Sequence, residues 1–173
     1  MKAVILGTAT TVIAIGALLL WANLPQPGMP PDVAADEVVI EKAARRLVLY
    51  RKGTPIKSYE IALGRQPVGP KRTEGDRRTP EGRYTIDDRK SDSAFHLALH
   101  ISYPNAADIA RAQAEGLAPG GDIMIHGIRN GLGWIGRLHR RFDWTAGCVA
   151  VTNSEIEEIW RAVPDHTPVE IVP

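Results

Sequence analysis

The sequence predicts a mainly β domain (α+β) with about two covering helices, preceded by an N-terminal transmembrane helix. Three observations predict it. Residues 3–22 form an uncharged apolar run; short apolar segments with strand-like alternation follow; and two stretches carry helix caps. The chain has 173 residues and a single cysteine, which suits one domain with a substantial core. A formal charge of +1 supplies no basic field, so nucleic acid is not an expected partner.

No charged residue stands between Lys2 and Asp32. Twenty helical residues from Ala3 to Ala22 span ~30 Å, the thickness of a bilayer core, with Trp21 at the outer edge. Residues 1–24 therefore read as a membrane anchor, with a cleaved signal sequence as the rival, since no clean cleavage site follows. Both readings export the domain. Residues 25–36 hold four prolines and read as a semi-rigid linker, and residues 37–173 as the folded domain.

Within that domain, residues 38–42, 46–51 and 56–63 read as strands, with Lys52-Gly53 as a turn. Residues 64–78 form a polar loop with Lys71, Arg72, Arg77 and Arg78, read as solvated rather than as a lip for an anion. Thr79-Pro80-Glu81-Gly82 turns into a strand at 83–86. Residues 95–103 are β-compatible, and Asn105 caps a helix over 106–115. Residues 122–126 (DIMIH) read as a short buried strand, 127–136 as glycine-rich loop, and 148–151 as a short apolar segment. A second helix follows, capped by Thr152 with Glu155 or by Ser154 with Glu157; Ile156, Ile159, Trp160 and Val163 keep the helical period. Residues 169–172 close the domain as a strand.

Chemistry concentrates in IMIHGIRNGLGWIGRLHRRFDWTAGCVAVTN. It sets His126 at a strand end before Gly127, and Cys148 after Gly147. An exported lone cysteine is either a small buried hydrophobe or a reactive thiol. As a nucleophile it needs a base to take its proton, for which His126 is the candidate, and it could then persist as a thiolate–imidazolium pair. The tetrahedral intermediate needs backbone donors, for which Cys148 and Gly147 N–H are candidates, and a carbonyl near Gly127 is the candidate to orient the imidazole. His139 reads as structural or as support for the site, and Trp134 and Trp144 as packing anchors. His96 and His100, spaced H-x-x-x-H, could share a Zn²⁺, but without an intervening Glu they read as structural.

His126-Gly127, a glycine-rich spacer and Thr145-Ala146-Gly147-Cys148-Val149, with Thr79-Pro80-x-Gly82-x-Tyr84 upstream, resemble the L,D-transpeptidase catalytic domain (YkuD family). DWTAGCVAVTN and FHLALHISYPN are similar to its Gram-negative branch of murein transpeptidases and related hydrolases. The resemblance implies a β-sandwich-like fold with a cleft, Cys148 as nucleophile, His126 as proton acceptor and donor, and no metal or organic cofactor. It implies peptidoglycan stem peptides as donors, attacked at the L-centre carbonyl of the third residue, with terminal D-Ala expelled and the thioester passed to an amine, on a stem or on an acceptor protein. It implies work at the periplasmic face of the inner membrane, or in the periplasm if the N-terminus is cleaved. The His and Arg common two positions before and after the cysteine are here Ala146 and Ala150; His139, Arg129, Arg137 and Asn153 are the candidates to stand in. Two rivals remain: a thiol hydrolase on the same scaffold (carboxypeptidase, endopeptidase or release of wall-linked protein) and a non-catalytic wall-binding module.

Overall fold

The computed structural model describes residues 2–173, with side chains described from residue 11 onward. The chain begins with helix α1 (Lys2–Ala22) and continues through β1 (Glu37–Glu41), β2 (Arg46–Arg51), β3 (Thr54–Glu60), β4 (Gly82–Lys90), β5 (Ala98–Ile101), α2 (Ala106–Ala114) and β6 (Met124–His126). A 3-10 stretch (Gly133–Arg141), β7 (Val149–Ala150), α3 (Asn153–Ala162) and β8 (Pro168–Val172) complete it.

The strands form one sheet in the order β3-β2-β1-β8-β4-β5-β6-β7. The β1–β8 and β6–β7 pairs are parallel and the others antiparallel. The two ends of this order meet. Just beyond β3, Ala62 exchanges hydrogen bonds of 2.9 and 2.8 Å with Ala150 of β7, and Gly64 bridges to Thr145. The sheet therefore curls back on itself, and the expected two-sheet sandwich is corrected to a mixed α/β curled sheet with packed helices. The reason is continuity: β8 joins the N-terminal hairpin to β4, so among the described residues there is no second sheet to stack on the first.

β1 alternates half-buried and buried residues, whereas Leu47, Val48 and Leu49 of β2 are buried in succession, so β2 is covered on both faces. Asn105 and Thr152 both form complete capping boxes, with Asp108 and Glu155, each cap contributing about 1 kcal/mol. Ile156 and Ile159 of α3 are fully buried against the sheet, about 2 kcal/mol each from apolar burial. The loop after β3 is no solvated ribbon. Buried Lys42 donates to Gly69 O, Thr79 O and Glu81 Oε1, and buried Lys71 pairs with Asp76 at 2.9 Å.

The expected transmembrane helix is also corrected. Among the described residues no helix is long and apolar enough to cross a membrane. The side chains of residues 3–10, the first part of the expected span, lie outside the described residues. The described end of α1 engages the domain: Ala22 is buried, Asn23 donates to Trp134 O at 2.9 Å, and the Arg137 guanidinium lies 4.7 Å from the Trp21 ring centre. The inner membrane as a partner, and a single-pass anchored location, are withdrawn with it. The glycine-rich stretch differs as well. Its second half winds into the 3-10 turns, interrupted at Gly136, whose φ of 50° breaks the helical path.

Candidate active site

β6 lies between β5 and β7, and this placement brings the two candidate catalytic residues together. His126 ends β6, in register with Ala98 on one side and Ala150 on the other. Cys148 immediately precedes β7, so its sulfur and the imidazole open into one cavity of about 470 Å³. Phe95, Met124 and Trp144 supply apolar wall, and Lys90, Asp92 and Asp122 supply charge. A cavity of about 490 Å³ between Gln26, Tyr59 and Arg140 contains neither catalytic candidate.

The imidazole is buried and oriented. His126 Nδ1 meets Gly127 O at 2.7 Å, which makes Nδ1 the protonated nitrogen and leaves the Nε2 lone pair available. Gly127 is itself fixed, since its N–H donates to Phe95 O and Leu97 O at 3.0 and 3.2 Å. The Phe95 ring lies over His126 with centroids 4.5 Å apart, and Trp144 stands edge-on at 5.7 Å. Burial pulls the His126 pKa down to about 4, against the smaller opposing effect of the Gly127 hydrogen bond.

Cys148 is half-buried, and its Sγ–H donates to Asp122 O at 3.4 Å. Burial pushes the thiol pKa up. Both shifts run against the charged forms of the pair.

Thr145 organises the turn carrying the nucleophile. Its hydroxyl donates to Cys148 O at 2.7 Å and accepts from Gly147 N–H at 3.1 Å. Of the two expected oxyanion donors, Gly147 N–H is thus engaged, and the Cys148 N–H is the one left. Gly147 has φ 140°, and a Cβ there would lie 2.7 Å from Arg78 O, so only glycine lets the loop of 64–80 pack onto this turn.

The remaining candidates divide. Asn153 Oδ1 accepts from Ile128 N–H at 2.9 Å and so pins the chain leaving His126. His139 is buried behind Trp144 and accepts its indole N–H on Nδ1 at 3.3 Å. Burial, aided by Arg140, lowers its pKa to about 4. Arg129 is exposed at a second, apolar cavity of about 370 Å³ across Phe95 and Trp144 from the first. Arg137 faces α1, bonded to Ala22 O and Trp21 O, away from the sulfur. His96 and His100 pair separately with Glu157 and Asp87. The sequence reading passed over Asp122, whose contribution is a backbone carbonyl that side-chain chemistry does not advertise, and Phe95, which reads as an ordinary strand residue.

The sequence profile of the L,D-transpeptidase catalytic domain (YkuD) matches residues 35–171. YafK of Escherichia coli (strain K12), which carries a provisional L,D-transpeptidase name, is 33% identical over 132 residues, covering 73% of this chain and 46% of that protein. The chain thus spans about half the length of that relative. Among solved structures, the helical cell shape determining protein Pgp2 from Campylobacter jejuni superposes with a TM-score of 0.61 at 23% identity, over 90% of this chain and 54% of that one. Bd1075 of Bdellovibrio bacteriovorus gives 0.56 at 25%, over 87% and 52%.

Proposed function

The chain belongs to the L,D-transpeptidase catalytic domain (YkuD) family, and from that premise we propose that it is a cysteine acyltransferase acting on peptidoglycan stem peptides in the cell envelope. The observation carrying the proposal is the shared cavity, lined by Cys148 and by an imidazole with its Nδ1–H tied to Gly127 O. His126 Nε2 takes the Sγ proton as sulfur attacks the L-centre carbonyl of the stem's third residue. The Cys148 N–H donates to the oxyanion. Collapse breaks the amide bond, and His126 returns the proton to the departing D-Ala nitrogen. An acceptor amine then attacks the thioester, yields its proton to Nε2, and releases the sulfur as thiol.

A hydrolytic second half-reaction has its own support. Ala146, two positions before the nucleophile, is exposed and offers no polar group to hold an amine, so water can take the amine's place. Muropeptide analysis separates the outcomes, using isolated peptidoglycan with the protein and its Cys148→Ala and His126→Ala variants. New 3–3 linked dimers absent from both variants establish transpeptidation. Cys148-dependent loss of D-Ala, cross-links or bound protein without new dimers establishes hydrolysis. Identical profiles for all three proteins would defeat the catalytic reading and leave a wall-binding module.

A further inference from the structure

We infer that Lys90 reads the free α-carboxylate of the donor stem's last residue, so that the site accepts stems ending in an acid over stems whose terminus is capped. This rests on the acyl-transfer reading above and assigns a specificity-determining residue within the same site. Of the charged side chains lining the catalytic cavity, Lys90 is the one cation among the described residues, beside Asp92 and Asp122.

Asp122 links it to the chemistry. The Asp122 carbonyl accepts the Cys148 thiol at 3.4 Å, and its carboxylate lies 3.8 Å from Lys90 Nζ. One residue therefore spans from the nucleophile to the ammonium. In a peptide, three bonds separate a scissile carbonyl carbon from the following carboxyl carbon, a reach of roughly 4 Å. A stem whose penultimate carbonyl meets Sγ sets its terminal carboxylate in the cavity that Lys90 and Cys148 both line.

Two other cations, Arg89 and Lys71, are committed. Arg89, on the opposite face of β4, donates to Trp160 O and Val163 O and pairs with Asp165. Lys71 is buried, with Thr73 O and Asp76 as partners. Position 150 carries a fully buried alanine and no cation. Lys90, by contrast, is 40% exposed and holds Asp122 loosely, at the outer limit of an ion pair, with Asp122 itself 84% exposed. Such a pair contributes little, so an incoming carboxylate with better geometry displaces Asp122 into solvent.

The test uses the intact protein with a stem tetrapeptide ending in D-Ala and the same peptide ending in D-alaninamide, with release of the last residue followed by mass spectrometry. The expected wild-type preference for the acid is about tenfold or more in kcat/KM. Lys90→Met removes that preference through KM with kcat nearly kept, and Lys90→Arg retains it. Asp122→Asn lowers KM for the acid by removing the competing carboxylate. Thermal denaturation of each variant shows that the fold is intact, as expected at an exposed strand end. Equal use of acid and amide by the wild type, or an acid KM unmoved in Lys90→Met, overturns the inference and leaves the acyl-transfer reading standing. Absence of Cys148-dependent release from either peptide overturns both.

Discussion

The indole N–H of Trp144 donates to Nδ1 of His139 across 3.3 Å, and the same indole stands edge-on to the imidazole of His126, 5.7 Å away. Because His139 accepts on Nδ1, its proton sits on Nε2, which has no partner among the described residues. His139 is thus a positioning residue acting through Trp144. Trp144→Phe keeps the ring and deletes the donor; about fivefold lower kcat on a stem tetrapeptide is expected, with KM little changed. Trp144→Ala removes a wall of the cavity as well and is expected to cost at least tenfold more. Equal kcat for the wild type and Trp144→Phe would show that the hydrogen bond does not set the imidazole.

The opposed pKa shifts of nucleophile and base have a signature in alkylation. A thiol pushed up by burial, beside an imidazole that burial pushes down, is expected to react slowly at neutral pH. The iodoacetamide rate at Cys148, the chain's single cysteine, is expected to climb only above the ordinary thiol range near 8.5. His126→Ala should change that profile little. A plateau beginning below pH 7 would reveal a resting thiolate.

Stability carries a pH dependence of definite sign. Burial holds both His126 and His139 at about 4, below the ordinary 6.5. Between those values the unfolded chain binds protons that the folded chain refuses, so stability is complete above about pH 6.5 and is lost progressively toward pH 4. Two such groups give a slope of up to about 2.7 kcal/mol per pH unit in the middle of the window. Urea midpoints at pH 7, 5.5 and 4.5 measure it, and His139→Gln should shallow the slope by roughly half. A flat profile across the window would show that neither imidazole is buried uncharged.

Gly147 makes the turn and the loop of 64–80 one packing unit. Gly147→Ala forces its new Cβ against Arg78 O at a φ of 140°. A loss of about 2–4 kcal/mol is expected from strain and displacement, together with loss of turnover. Gly121→Ala, where a Cβ meets nothing within 4 Å, is the control and should leave the melting temperature within a degree or two of the wild type. Equal melting temperatures for the two variants would show that the loop does not rest on Gly147.

What was legible in the sequence was local. Asn105 with Asp108 and Thr152 with Glu155 announce their helices because a cap, its partner and the following apolar period lie within one turn. His126 and Cys148 stood out because each ends or begins an apolar segment beside a glycine. What stayed hidden depends on distant partners. Nothing near Ala62 says that it will pair with Ala150, and nothing near residues 133–141 says that His139 will turn inward to meet Trp144. The sandwich expectation failed for the same reason, since β8 seats parallel to β1, more than a hundred residues away in the chain, and antiparallel to β4 on its other side. The hydrophobicity of residues 3–22 spoke for a membrane, yet it carries no information about α1 docking on the 3-10 stretch.

The closure of the sheet through Ala62 also limits how a substrate can enter. An open strand beside Cys148 would offer N–H and C=O groups to an extended peptide, and the donor stem could bind by adding a strand. Here Ala62 takes both backbone groups of Ala150, and Leu63 O and Arg65 N take those of Thr145. The two residues flanking the Cys148 turn, Thr145 and Ala150, have no backbone group left to lend. For the proposed stem-peptide substrate this favours entry end-on through the cavity mouth, held by side chains and termini rather than by backbone pairing at Thr145 or Ala150.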